Sequence, residues 1–186
     1  MRLICLLALT LLIAGCGPLD ATQSGGTQAD PLALLTLLPS PAALRGAAAA
    51  AADAPALQRA FTGAKDEELA RRIGDRDPVA AGVRTWSDPS GGVLIAVVSV
   101  WDSHLIATGI GADIAGRLVS DGGAAWTPDQ TPGSRGARVD DPGRRELRLS
   151  YSIGPNSLFV RATGPVPEET VVKTMTRLIK GLPGTS

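Results

Sequence analysis

The 186-residue chain predicts an α+β fold: a mainly antiparallel sheet with two long helices packed on it, preceded by short N-terminal helices. Three observations predict it. Glu146 to Ile153 alternates polar and apolar residues strictly, the mark of a half-buried strand. Two pairs of strand-like runs are joined by short turn-rich segments, Asp88-Pro89-Ser90-Gly91-Gly92 and Gly154-Pro155-Asn156, as hairpins are. Two stretches, Leu105 to Val119 and the one after Pro167, repeat apolar residues at helical spacing. Hairpins make neighbouring strands antiparallel, and helices with one apolar stripe cover such a sheet. Both long helices are expected on the same face.

The elements follow in chain order. Gly17 to Asp30 holds Gly, Ser, Thr, Gln, Pro and Asp with little to bury, a composition that predicts a flexible tether. Fourteen such residues span roughly 20 Å, or about 45 Å if pulled straight. Asp30 is placed to cap a short helix with Pro31 at its first position, and Pro39 and Pro41 stop it. Leu32, Leu34, Leu35, Leu37 and Leu38 make it apolar, so it is expected to pack on the domain. The alternative, resting on a membrane, lacks the basic face such helices use. Ala42 to Ala52 reads as a linker or a loose helix. Pro55 to Phe61 and Lys65 to Ile73 read as short helices separated by Gly63. In the second, Asp66, Glu67 and Glu68 suit the amino end, and Arg71 and Arg72 the carboxyl end, before Gly74.

Asp77-Pro78 and Gly82 mark the approach to the sheet. Val83 to Trp86 is a strand, and Val93 to Trp101 is almost unbroken in apolar residues, which suits a central strand covered on both faces. Ser103 caps the next helix, where Ile106, Ile110, Ile114 and Leu118 form one stripe. Gly109, Gly111 and Gly116 each weaken it by about 1 kcal/mol relative to Ala, and allow close packing on the sheet. Ala124 to Thr127 is a short strand. Pro128 to Gly143 reads as a long loop. In Glu146 to Ile153, Leu147, Leu149, Tyr151 and Ile153 face inward, and Glu146, Arg148, Ser150 and Ser152 outward. Ser157 to Thr163 returns. Pro167, Glu168 and Glu169 start the last helix, whose stripe is Val171, Met175, Leu178 and Leu182. Gly181 or Gly184 ends it. After the lead-in helices the order is β-β-α-β-β-β-α. This outline is similar to that of the small PsbP-like and Mog1-like domains found in some lipid-anchored proteins.

The first sixteen residues are organised differently. Arg2 supplies a positive start, Leu3 to Ile13 is apolar but for Thr10, and Ile13-Ala14-Gly15-Cys16 puts two small residues before a cysteine. The run is about half of the roughly 20 residues a membrane-spanning helix needs. This is the layout of a secretory signal, and with its cysteine it resembles the lipobox of bacterial lipoproteins, with Ile13 where Leu is commonest. The resemblance implies cleavage between Gly15 and Cys16, a diacylglyceryl thioether on the Cys16 sulfur and often acylation of the new amino terminus. It places the protein at the extracytoplasmic face of a bacterial cell membrane or outer membrane. Each buried methylene contributes about 0.8 kcal/mol, so two or three long chains hold lastingly. An Asp after the cysteine resembles an inner-membrane retention signal; this chain has Gly17. The expected organisation is a signal peptide (1–15), a lipidated Cys16 with its tether (16–30), a helical lead-in (31–81) and the sandwich domain (82–184).

Little chemistry is written in the rest. Cys5 leaves with the signal and Cys16 carries lipid, which excludes a cysteine nucleophile and a thiolate metal site in the mature domain. Eighteen basic residues balance eighteen acidic ones, so no overall field points to nucleic acid. Aromatics at 3% argue against a stacking platform. No cofactor motif is found: Gly109-Ile110-Gly111 lacks the third glycine of a dinucleotide fingerprint, where Ile114 stands. His104 is the single histidine, beside Asp102 and Ser103. A catalytic relay joins distant segments, so a cap and a turn are the better reading there. Asp129, Asp140 and Asp141 lack calcium-loop spacing, and no metal site is expected. Trp86, Trp101 and Trp126 read as core.

The candidate binding residues are Arg135, Arg138, Arg144 and Arg145, with Arg148 beyond. Against Asp140, Asp141 and Glu146 they leave an excess of positive charge, able to meet lipid phosphates or an acidic partner. The alternative is a solvated loop whose charges pair among themselves. The expected function is non-enzymatic binding of an envelope partner or ligand. The alternatives are a small hydrolase using carboxylates and a structural accessory of an envelope complex.

Overall fold

The computed structural model describes residues 27–42, 44–63, 67, 71 and 76–184. The signal, Cys16 and most of the expected helix at Lys65 to Ile73, Gly74 included, lie outside them. Helix α1 (Pro31–Leu37) starts as expected: the Asp30 carboxylate accepts the N–H groups of Leu32 (3.0 Å) and Ala33 (3.1 Å). It buries Leu34 and Leu35 on the sheet. Gly82 makes the seat, since a Cβ there would lie 2.9 Å from Leu35 Cδ1. Arg84 closes the other end, donating to the carbonyls of Leu35 (2.9 Å), which also accepts the Leu38 N–H (3.3 Å), and Leu38 (2.6 Å).

The alanine-rich segment is neither linker nor helix. Strands β1 (Arg45–Gly46) and β2 (Ala50–Ala51) both pair antiparallel with β3 (Ala80–Ser87), and the register slips by one residue between them. Alanine's helix preference is worth tenths of a kcal/mol per residue, whereas the free edge of β3 presents a row of unpaired backbone groups. Gly46 is required there, because a Cβ would lie 2.4 Å from the Trp86 ring. Helix α2 (Ala54–Thr62), capped by Asp53, buries Leu57 and Phe61, and Gly63 ends it at φ 62°.

Strand β3 is joined to β4 (Val93–Val100) through a turn in which Asp88 accepts from the Ser90 hydroxyl (2.5 Å) and the N–H groups of Ser90 (2.7 Å) and Gly92 (3.0 Å). Helix α3 (His104–Ser120) follows, capped by Ser103 Oγ on Ile106 N–H (3.3 Å). Strands β5 (Ala124–Trp126), β6 (Arg135–Asp141), β7 (Arg144–Ile153) and β8 (Asn156–Thr163) precede helix α4 (Glu168–Gly181). The fold is α+β, with four helices and one sheet of eight strands among the described residues. Its order is β1-β3-β4-β8-β7-β6-β5, β2 also lies on β3, and every pairing is antiparallel.

The long helices do not share a face, as the sequence reading had them. α4 and α1 cover one side, where Leu94, Val98, Leu149, Leu158, Val160 and Met175 form the larger core. α3 and α2 cover the other, over Val97, Phe159, Phe61, Ile110 and Ile114. The physical reason lies in the central strands. Val97 and Phe159 point one way and Leu94 and Val160 the other, so β4 and β8 present apolar side chains on both sides. One helical layer would leave half of them in water, at about 25 cal/mol per Å² of apolar surface.

That second layer changes the outer side of β7. Glu146, Arg148 and Ser150 do not face solvent; all three are buried on the α3 side. Ser150 Oγ donates to the Gly111 carbonyl (3.2 Å) and Ser152 Oγ to that of Ala107 (3.1 Å). Gly111 is what lets the helix come this close, since a Cβ would lie 3.1 Å from Ser150 Oγ. Gly109 and Gly116 make no such approach: nothing lies within 3.4 Å of a Cβ at either.

Candidate functional site

The candidate arginines lie on strands. β6 takes up the second half of the expected Pro128–Gly143 loop, which puts Arg135 and Arg138 on β6 and Arg144 and Arg145 at the start of β7. The signal was present in the residues: Ala137 and Val139 are buried, while Arg138 between them and Asp140 after them are exposed, a period of two. The remaining loop is pinned by buried Thr131 and Ser134, whose hydroxyls are 2.9 Å apart.

Pairing across the hairpin separates the four. Arg135 lies opposite Ser150 and Arg144 opposite Asp141, both on the α3 side; Arg138 and Arg145 lie on the α4 side. Arg138 Nη1 is 3.5 Å from Glu168 Oε2, and Arg145 Nε is 3.8 Å from Asp140 Oδ1, both pairs on the surface. Arg135 lines a cleft of about 200 Å³ with His104, Thr108, Ser150, Tyr151 and Ser152. The four are therefore not one patch. Exposed pairs of this kind are worth about 0–1 kcal/mol. Replacing Arg135 and Arg138 together with Ala is expected to shift stability by less than about 1 kcal/mol. A urea midpoint that collapses would show the pair to be structural.

The densest charge lies under α3, and the sequence reading missed it. Glu146 Oε1 accepts from Arg148 Nε (2.8 Å) and from Arg161 Nε (2.7 Å), and Arg144 Nη2 is 3.8 Å from Oε2. Arg148 and Arg161 face each other across β7 and β8, so one carboxylate stands between two guanidinium groups. Burial pushes the Glu146 carboxyl up, but the attraction and hydrogen bonds of Arg161 and Arg148 outweigh it and hold the group below its ordinary range. Arg148 Nη1 is buried without a hydrogen-bond partner. Gly63 at the end of α2 leaves room for Arg161, whose Nη2 would lie 2.8 Å from a Cβ there. Chemically, Glu146 is an ionised, doubly bound acceptor. A general acid needs the reverse, a carboxyl kept protonated by its surroundings.

The remaining candidates resolve simply. Ser103 caps α3, and His104 Nδ1 lies 3.1 Å from the Gly154 carbonyl at the surface. Trp86, Trp101 and Trp126 are buried, and Trp101 Nε1 donates to Ser99 Oγ (2.9 Å). Among the described residues no three His, Cys, Asp or Glu side chains come together as metal ligands would. Two wider grooves exist. One, of about 580 Å³, runs along α4 past Gln130, Lys173, Thr176, Arg177 and Lys180. The other, of about 500 Å³, lies at the starts of α1 and α2, between Leu32, Ala52 and Val79.

The described part is thus an α+β domain with an antiparallel sheet between two helical layers. No helix among the described residues is long and apolar enough to cross a membrane. The chain matches no model of a known protein family, and no curated protein is similar to it in sequence.

Proposed function

We propose that this chain is a bacterial lipoprotein, held by lipid on Cys16 at the extracytoplasmic face of the cell membrane or outer membrane. Its domain binds an envelope partner or ligand and catalyses no reaction. The observation that carries the anchor is the segment Ile13-Ala14-Gly15-Cys16 after an apolar run too short to span a bilayer. A cysteine there has no other visible use, since no second thiol follows it in the chain.

The non-enzymatic reading is supported by the carboxylates. Glu146 is clamped by two arginines, Asp30 and Asp53 cap helices, Asp88 holds a turn, and Glu169 pairs with Lys173 (2.6 Å). Each has a structural task. The groove along α4 has Glu168 and Glu169 at the helix start and Arg177 and Lys180 toward its end, and acidic groups of a partner would be met at that far end. Replacing Cys16 with Ala is expected to move the protein from the membrane fraction to the soluble one. Mass spectrometry of the native protein is expected to find diacylglyceryl on Cys16 as the first residue. Unchanged fractionation, or an unmodified sulfur, would overturn the anchor.

A further inference from the structure

Among the described residues six large apolar side chains are exposed, and four of them, Leu32, Val79, Leu105 and Ile153, gather at one end of the sheet. The backbone shows why. Val79 N–H donates to the Val100 carbonyl (2.8 Å), and Val100 and Ile153 both lie opposite Asn156. Trp101 N–H donates to Pro155 O (2.9 Å) and His104 is bound to Gly154, which sets Leu105 beside the hairpin tip. Leu32 belongs to the first turn of α1, and the chain entering that turn is tied to Asn156. Ala29 N–H donates to its Oδ1 (2.9 Å), and its Nδ2 donates to the Thr27 carbonyl (3.1 Å). Single exposed apolar residues are ordinary. Four at one end of a sheet, one of them 81% exposed, form a rim.

The same end is where the chain leads back to Cys16. Ten residues separate Cys16 from Thr27, a reach of no more than about 40 Å. We propose that this end of the domain rests on the bilayer that carries Cys16, with Leu32, Val79, Leu105 and Ile153 at the boundary between headgroups and acyl chains. The proposal builds on the lipid anchor. Four side chains alone bind a bilayer weakly, but a short tether supplies an effective concentration in the millimolar range. The end also carries Asp30, Asp53, Asp77 and Asp102 against Arg76 and Arg135, so it has no basic excess to draw it to anionic lipid, and the attraction comes from the apolar side chains and is not weakened by salt. Arg144 and Arg145 start β7, about 30 Å along the sheet from Ile153, and so lie at the end away from the lipid.

The test uses the chain from Cys16 to Ser186, in which Cys16 is the single thiol. Coupling that thiol to a maleimide lipid sets the tether whether or not a cell acylates it. Mass spectrometry of the native protein reports on the anchor separately, so the two readings fail independently. Vesicles of phosphatidylethanolamine with a minority of phosphatidylglycerol carry bromine on the acyl chains. Leu105→Trp is compared with Val119→Trp, about 21 Å away along α3. Burial of about 5–10 Å into the boundary is expected to quench by roughly half the emission that Leu105→Trp adds to that of the parent protein with its three tryptophans, with no loss of quenching at higher salt, and to spare what Val119→Trp adds. Equal quenching at both positions, or none at either, overturns the proposal. So does a loss of emission that persists without bromine and grows with the density of coupled chains, since a second copy then covers the rim.

Discussion

Replacing Glu146 with Ala is expected to destabilise the domain by about 3–5 kcal/mol, a large part of the 5–15 kcal/mol typical of a folded domain. The loss does not measure the value of the ion pairs. It arises because Arg148, buried, and Arg161, largely so, lose their common acceptor. A triple replacement of Glu146, Arg148 and Arg161 by apolar residues of similar volume is therefore expected to cost less than the single one. Urea unfolding checks both: the midpoint falls for Glu146→Ala and recovers in the triple variant. If the single change costs under about 1 kcal/mol, water reaches the arginines and the cluster is not a buried one.

The same group sets an acid limit. The folded carboxyl of Glu146 lies below its ordinary value of 4.5. The folded state therefore holds its proton less tightly than the unfolded chain does. The resulting stability is fully present above that ordinary value and is lost as pH falls through the folded one. The native protein is expected to lose stability on acidification below about pH 5, with Glu146→Gln showing a flatter profile across that range. Parallel profiles would assign the acid sensitivity to other carboxylates.

Replacing Phe159 with Ala is expected to cost about 3–5 kcal/mol. Phe159 sits on β8 between β4 and β7, and its ring meets that of Phe61 edge to face at 5.0 Å. Phe61 and Leu57 are the large side chains by which α2, only nine residues long, is held to the sheet. Phe61→Ala is expected to loosen α2, seen as proteolysis near Gly63 before global unfolding. The double variant should cost less than the two single costs added together, by about 0.5–1.5 kcal/mol, the pair's own contribution. Strict additivity would mean that the rings do not hold each other.

Much of the architecture can be read from the residues because the relevant partners are close in sequence. Asp30 and Ser103 cap helices through N–H groups two or three residues on. The turns at Asp88 and at Gly154, which has φ 53°, join strands that then pair along their length. The stripes of α3 and α4 bury the side chains that their spacing selects, with Ile110, Ile114, Val171 and Met175 in the two cores. β6 was legible too, since Ala137 and Val139 alternate with exposed Arg138 and Asp140, but Gly and Arg at its start read as loop.

The amino acids alone therefore dictate the α+β class, the two hairpins, the helix starts and the lipobox-like segment before Cys16. Each depends on neighbours within a few residues. Which helix covers which face, the pairing of the alanine-rich segment with β3, the burial of Glu146 between Arg148 and Arg161, and the scattering of Arg135, Arg138, Arg144 and Arg145 emerge only once the chain is folded. A period of two assigns residues to a common side of a strand, but it is silent about what lies over that side. Glu146 looked solvent-facing because the layer above it comes from α3, more than twenty residues earlier, and one of its guanidinium partners from β8, fifteen residues later.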